Sequence, residues 1–576
     1  MRKWIYLLTL LVLLLIPARS SVEALDSGEW SYTLLDDGSA KITAYNGWDT
    51  HIVIPSSLDG HPVSVIGEKV FYQSQTVSVE IPEGVVAIGD YAFYSCLLLT
   101  SVSLPDSLTY IAEGAFYLTG FTSLELPNNL KFIGKKAFVD ARLTQVTLPN
   151  SLRFIGESAF ASAELTEIDI PEGVVAIGNK AFSNCDLTRV SLPKSLTVID
   201  GNPFTDCENL RTIEIAADHP VFEVVDGVLF DKIEHTLISY PHSSTAAYYA
   251  VPEGVTTIGR YAFYWCDALK SVSLPGSLKV IGESAFTETG LTEIYLPEGI
   301  TTIGKDAFSH CDLTRVTLPK SLTVMDGYPF LSNDIQVFEV SADHPVFEVV
   351  DGVLFDKKEH VLIKALPTFY SASYQVPEGV TAIGDYAFDA CGNLTSVTLP
   401  EGLRYIGECA FNCTGLTSVK IPEGVTKIAA QAFGNTQKLT SIEIPDSVRV
   451  IGDAAFTFCL NLTSITLPKS LTYLGKNVFN EVPLTSIEIP EGVTVIHQGT
   501  FSYSHELTSI TLPETLVSIE DYAFQYSHLD TITFPASLTY IDENAFYYTS
   551  LDSANVVAGS YAETWAKKHR ITCVYR

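Results

Sequence analysis

Apolar residues recur along this chain in two short arrangements that alternate. In LTSVSLPDSLTYIAEGAF, residues 99–116, the first arrangement is Leu99, Val102 and Leu104. Val102 and Leu104 are two apart and share one face, while Ser101 and Ser103 point the other way, which predicts a short strand. Pro105 has no N–H to give an inner ladder and ends that strand. Leu108, Ile111, Ala115 and Phe116 supply a second apolar set that brings the chain back. The same text returns as LTEIDIPEGVVAIGNKAF at 165–182 and as LTSVTLPEGLRYIGECAF at 394–411. Its prolines, at 82, 105, 127, 149, 171 and 193, again at 252, 275, 297 and 319, and from 377 to 535, are 22 or 23 residues apart. A fixed period in the twenties predicts a solenoid, because one coil cannot cover its own apolar face and stacked neighbours can.

Two stretches break the period. ADHPVFEVVDGVLFDK occupies residues 217–232 and recurs letter for letter at 342–357. Asp226-Gly227 and Asp351-Gly352 stand between β-rich runs, which is the signal of a tight hairpin. The flanks match as well, CDLTRVSLPKSLTVIDGNPF from Cys185 and CDLTRVTLPKSLTVMDGYPF from Cys311, so a block of several coils was duplicated with the hairpin inside it. We expect each hairpin to project from the edge of its coil. Asp218-His219 and Asp343-His344 carry metal-ligating and acid–base side chains, but Asp-His-Pro reads first as an exposed turn whose Asp bonds the local backbone. One His per copy, several coils apart, cannot make a shared metal site.

The repeated text P-[ED]-G-V-x-x-I-G-x-x-A-F, as at residues 82–93 and 377–388, is followed by C-x-x-L-T-x-[IV]-x-[LI]-P. It resembles the BspA-like leucine-rich repeat proteins, over about residues 54–557. The fold expected from repeat and resemblance is an α/β-type repeat solenoid dominated by β. It would be a right-handed leucine-rich repeat superhelix with a long parallel sheet, few helices and two hairpin insertions. The position that commonly holds a buried Asn or Cys is here Ser107, Asn129, Ser151, Gly173, Ser195 or Gly254, so no continuous asparagine ladder is expected. The resemblance further implies a secreted or cell-surface protein, with adhesion to host matrix proteins or other microbes as the associated role.

The expected divisions are a signal peptide at 1–24, an N-terminal β cap at 25–54, a solenoid at 55–557 of about nineteen coils, and a helical cap at 558–576. The signal peptide rests on Arg2 and Lys3, an apolar run from Trp4 to Ile16 and the small-residue site Val22-Glu23-Ala24. That run is short for a membrane span, and no later stretch approaches ~18 unbroken apolar residues. The caps rest on Asp37-Gly38 between two β-rich runs, and on Ser560 followed by Glu563 at capping-box spacing with Tyr561, Ala562 and Trp565 behind it.

Composition and charge then narrow the function. A hydrophobic fraction of 47% is high for a soluble chain, and a core shared by many coils would absorb it. Cleavage after Ala24 removes three positive charges and one negative, taking the formal charge from −32 to −34. Such a field repels nucleic acid and anionic membrane and favours basic partners. Seven cysteines, Cys96, Cys185, Cys207, Cys266, Cys311, Cys391 and Cys459, stand three residues after the Phe of their coil, which reads as a buried column of small hydrophobes. Cys185–Cys207 is a conceivable bridge in an exported protein. No nucleophile elbow, phosphate loop or zinc spacing occurs, so neither enzyme activity nor a cofactor is expected.

The outward strand columns are mostly Ser and Thr. Two spots differ, Glu167, Asp169 and Arg189, then Glu293, Tyr295 and Arg315. Adjacent strands would set Glu167 beside Arg189 and Glu293 beside Arg315, either as surface ion pairs or as small anchors for a ligand. The expectation is a secreted, monomeric binding or adhesion protein for a protein or glycoprotein partner such as host extracellular matrix. The alternative is a structural spacer of the cell envelope without a specific ligand.

Overall fold

The computed structural model describes residues 24–366 and 369–576; all but Ala24 of the expected signal peptide lies outside the described residues. The chain is a β-solenoid of mostly parallel sheets. It divides into two compact units, one of Met1–Leu313 with Pro329–Asn333, the other of Thr314–Tyr328 with Asp334–Arg576. Each is described by itself.

In the first unit every coil has three sides. The predicted strands, such as Ser78–Glu80 and Ser101–Ser103, pair in parallel and in register, Ser78 beside Ser101 and Glu80 beside Ser103. The second apolar set also forms strands, only two residues long: Ala87–Ile88, Tyr110–Ile111, Phe132–Ile133, Phe154–Ile155, Ala176–Ile177 and Val198–Ile199. These make the longer sheet, joined in one order with the N-terminal strands, whereas the outward strands of this unit form separate sheets of two or three. The expected long parallel sheet thus runs through the two-residue strands. Each outward strand runs into a proline that cannot donate, while the second set is bounded by residues that can: Thr109 N–H donates to Val86 O and Ala112 N–H to Ile88 O.

The third side is a turn. Tyr91 and Ser95 sit at φ of 54° and 56°, and with Phe93 they aim their N–H groups at Glu113, Tyr117 and Ala115 of the next coil. Backbones of successive coils also approach closely where the repeat reads Ile-Gly. A Cβ on Gly134 would lie 2.6 Å from the carbonyl carbon of Ala112, and one on Gly156 2.6 Å from that of Gly134. Only glycine fits there.

The core is a column of rings. Phe71, Phe93, Phe116, Phe138, Phe160 and Phe182 are buried and stack at centroid distances from 4.9 to 5.5 Å. In the second unit Phe388, Phe411, Phe433, Phe456, Phe479, Phe501 and Phe524 repeat the arrangement at 5.3 to 5.9 Å. Serine provides an unexpected polar ladder in place of asparagine. Ser107 Oγ donates to Val85 O (2.8 Å) and accepts from Gly84 N–H (3.0 Å), while Glu83 accepts the N–H groups of Asp106 and Ser107. Ser195 repeats this with Val174, Gly173 and Glu172. The Pro-x-Ser turn thus crosslinks neighbouring coils rather than merely turning.

At the N-terminal end Trp30–Leu34 and Ala40–Tyr45 form an antiparallel pair, and Ala40–Tyr45 then pairs in parallel with His61–Ile66 of the first coils. At the other end Tyr561–Lys568 is a helix. Ser560 Oγ accepts from Glu563 N–H, and buried Trp565 packs edge-on against Phe534. It is the one helix among the described residues.

The duplicated hairpins form as hairpins but do not project. Phe222–Val225 pairs antiparallel with Val228–Asp231, which pairs with Thr236–Ser239, which continues in parallel to Thr257–Ile258 of the next coil. Phe222, Val228, Leu229 and Phe230 are buried. In the second unit Phe347–Val350, Val353–Asp356, Val361–Ala365 and Ala382–Ile383 repeat the same path. The reason is legible afterwards: VLF presents apolar side chains to both faces, which only a strand covered on both sides can satisfy.

Candidate binding surface

Glu167, Asp169, Arg189 and Arg315 lie on outward strands, whereas residues 293–295 follow the same path without forming a strand, and the geometry differs from the expected pairing. Glu167 and Arg189 are register partners, yet the Arg189 guanidinium turns away from Glu167. It forms a two-pronged bond with Glu214, Nε to Oε1 at 2.8 Å and Nη2 to Oε2 at 2.6 Å, and reaches Asp169 through Nη1 at 2.8 Å. That bond holds the Glu214 carboxyl below its ordinary range. A fork donates best to two parallel oxygens, and Glu214 on the following strand offers them where Glu167 does not. Arg315 likewise bonds Glu339 at 2.6 Å, and Thr317 donates to the same carboxylate at 2.8 Å. Glu293 and Tyr295 belong to the first unit and Arg315 to the second. Both arginines are held by a carboxylate on the last regular strand before a hairpin, so the motif was copied with its block.

Tyr295 stands apart. It is 76% exposed, and around it the outward positions are small, Ser271 and Ser273 on the preceding coil. Tyr248, on the strand Tyr248–Ala250 that pairs with Ser271–Ser273, is 57% exposed on the same face. The insertion hides Tyr248 in the sequence: it displaces the strand from the regular period, so the residue falls outside the counted column.

The two hairpin histidines are not in exposed turns. His219 and His344 are each 1% exposed. Nδ1 of His219 accepts from the N–H groups of Val221 (3.2 Å) and Phe222 (3.0 Å), which leaves Nε2 to donate to Pro193 O at 2.9 Å. Lys232 caps the His219 carbonyl at 2.5 Å. His344 copies each contact with Val346, Phe347, Pro319 and Lys357. Both ring nitrogens are consumed in tying the hairpin to the coil before it, so neither is free for metal or proton transfer. Asp218 and Asp343 are on the surface and pair with Lys194 and Lys320, both at 2.7 Å; the Lys320 bond pulls the Asp343 carboxyl down to about 2. Among the described residues no group of three or more His, Cys, Asp or Glu side chains is placed to hold a metal ion, and no helix is long and apolar enough to cross a membrane.

The cysteine column has a role beyond volume. Cys96 Sγ donates to the carbonyl of Phe71 one coil back at 3.0 Å, and Cys185, Cys207, Cys311 and Cys459 do the same. Where the coil has Thr436, Ser504 or Asn333 instead, that side chain donates to the corresponding Phe carbonyl at 2.9, 3.0 and 2.7 Å. The shared property of Cys, Thr, Ser and Asn is a donor of small size, a signal the sequence held and hydrophobicity concealed. All ten cysteines are free, including Cys185 and Cys207; seven are buried, Cys391 and Cys573 are half-buried and Cys413 is exposed. Burial pushes Cys207 and Cys459 up to about 12, disfavouring the reactive thiolate. Thiol titration of the native protein is expected to show Cys413 reacting first and Cys391 and Cys573 slowly. The other seven should appear on denaturation without reductant, and a requirement for reductant would mean bridges.

The repeats match the sequence profile of the BspA type leucine-rich repeat region in six copies, over residues 50–163, 131–248, 238–336, 368–456 and 426–552. That is well over half of the chain. The protein belongs to the BspA-type leucine-rich repeat family. Among solved structures it is similar to a leucine-rich repeat protein from Bacteroides ovatus, 22% identical over 85% of this chain and 99% of that one, with a TM-score of 0.31. A leucine-rich cell surface protein from Faecalibacterium prausnitzii is 25% identical over 86% and 96%, with a TM-score of 0.29. The leucine-rich repeat protein of T. pallidum is 32% identical over 33% of this chain and 91% of its own, with a TM-score of 0.31. No curated protein matches the chain.

Proposed function

We propose that this protein is an extracellular binding protein that presents its outward strand face to a protein or glycoprotein partner, such as host extracellular matrix. The observation that carries the reading is the pair Tyr248 and Tyr295, large and exposed, beside the small hydroxyl residues Ser271 and Ser273 of the intervening coil. Exposed aromatic rings surrounded by small hydroxyls are the composition of an interface anchor. Glu293 extends this patch; Arg189 ion-paired with Asp169, and Glu167 beside it in the strand register, form a second spot in the same unit, and Arg315 paired with Glu339 its counterpart in the other. The arginines are already engaged, so they would contribute orientation, and the tyrosines the affinity. The family relationship, and a relative described as a cell surface protein, support an extracellular location.

The test is a binding screen against immobilised matrix proteins and mucosal glycoproteins. Tyr248→Ala with Tyr295→Ala is expected to weaken binding to the ligand so identified by about ten- to a hundredfold, the range of a lost hot spot. Ser464→Ala with Thr466→Ala should leave it unchanged. Failure of the whole screen would favour the spacer, for which the long hydroxyl columns of the second unit, Ser396, Ser418, Ser441, Ser486 and Ser509, are the supporting observation.

A further inference from the structure

Residues 477–566, all in the second unit, contain twelve Asp or Glu and neither Lys nor Arg. The coils they form carry an exposed row of rings on the turn side. Tyr503, Tyr526 and Tyr548 occupy the same position in three successive coils and stack at 4.9 Å each. Tyr548, which ends the stack, is 65% exposed, and Tyr547 meets it edge-on at 4.3 Å. His505 and His528 continue the strip beside Tyr526.

The row is costly for the backbone. Tyr503, Tyr526 and Tyr548 lie at φ of 57°, 56° and 56°, a left-handed region that disfavours bulky L residues. Other coils hold this point at the same φ with small polar residues such as Asp140, Asn184 and Asn435 and, singly, with bulky ones such as Leu118, Trp265 and Phe458. What sets these coils apart is the succession: three tyrosines stacked face to face, with Tyr503 and Tyr548 open to solvent.

Charge says what covers them. Glu481 precedes Tyr503 in the same column, its N–H on Ser502 O; Glu506 follows His505 directly in sequence, and Asp530 lies two residues beyond His528. The C-terminal residues neutralise only the far acids, Lys568 with Glu543, Lys567 with Glu563 and Arg576 with Glu514. Among the described residues Glu481, Glu506, Asp521, Asp530 and Asp552 have no cationic partner, and Asp521 Oδ1 is buried without any hydrogen bond.

We propose that the tyrosine-lined, purely acidic edge of residues 479–552 is a docking surface for an arginine- or lysine-rich peptide segment of another protein. Guanidinium groups lie on the open face of Tyr548 and donate to the phenol oxygens along the row. The unpaired carboxylates hold the remaining charges and draw the segment in. This surface is separate from the Tyr248 and Tyr295 patch and does not depend on it.

The experiment measures binding of a labelled oligoarginine peptide to the full chain by fluorescence anisotropy, with an oligoglutamate peptide as control. Binding that weakens with salt, and a loss of at least about tenfold in Tyr503→Asn with Tyr548→Asn, are expected. Asparagine suits the left-handed position, so this variant should be at least as stable as the parent, which excludes unfolding as the cause. Glu481→Gln with Asp530→Asn should also weaken binding, whereas Tyr72→Ser with Tyr94→Ser, in the stacked row Tyr72, Tyr94 and Tyr117 of the first unit, should not. Absence of binding overturns the proposal. Equal binding by the tyrosine variant overturns it too, leaving diffuse attraction by net charge. So does self-association of the parent that the tyrosine changes abolish, which would make a second copy of the chain the occupant.

Discussion

Deleting residues 221–232 is expected to unfold the coils on either side of the first hairpin. The segment contains Phe222, Val228, Leu229 and Phe230, all buried, and Phe222 and Leu229 belong to the same continuous core as Phe204 and Ile238. Each such side chain contributes about 1.5–3 kcal/mol when removed from water, so the loss is several times the stability a single coil interface can spare. The deletion also strips Thr236–Ser239 of its antiparallel partner, leaving a bare edge where the ladder should pass to Thr257–Ile258. Hydrogen exchange followed by mass spectrometry is the direct measurement. Protection should vanish around 198–199 and 257–258 and persist several coils away, since coils contact only their neighbours. Retained protection at both places would show the hairpin to be an ornament on a finished stack.

The second large effect is expected from one ring. His219→Ala leaves the N–H groups of Val221 and Phe222 and the carbonyl of Pro193 without their partners in a buried setting. Each unsatisfied group costs about 1–3 kcal/mol, so the three together place the local destabilisation at about 3 kcal/mol or more. Exchange at 219–232 should accelerate accordingly. His219→Asn retains an acceptor at the Nδ1 position and should recover part of the loss, whereas a purely volumetric role would make Asn and Ala alike. The same comparison at His344 should give the same order, because its contacts are the same. A cost under about 1 kcal/mol for Ala would mean that water replaces the imidazole easily and that the ring is not the anchor.

Several features could be read from the residues alone, for reasons particular to them. The 22- or 23-residue step and the Leu-x-x-Val-x-Leu spacing dictated stacked coils, because period-two side chains beside a proline stop admit little else. Asp226-Gly227 dictated a hairpin, and Asp226 indeed sits at φ 50° ahead of Gly227 at 82°. Where reading failed, the missing information was which surface a segment meets. Exposed Asp-His-Pro was a fair local reading, since a turn says nothing about the coil beneath it; the Pro193 carbonyl that receives His219 is 26 residues away. Arg189 had carboxylates on both neighbouring strands, and the fork geometry selected Glu214, with Asp169, over the register partner Glu167.

The sequence by itself determined the unit and its stacking: what lies inside each coil, where each coil turns, and that the chain carries no motif of nucleophilic or phosphate chemistry. These follow from contacts within one period, which repeat identically enough for the pattern to declare them. Tertiary structure decided what depends on the neighbouring coil. It made the two-residue strands, not the three-residue ones, the longer sheet; it turned Cys96 and Ser107 from filler and turn into donors; and it drew the hairpins into the core. It also gathered Tyr503, Tyr526 and Tyr548 into one exposed stack. Such assignments need the position of a carbonyl or a ring one coil away, and that position is set by the stack as a whole.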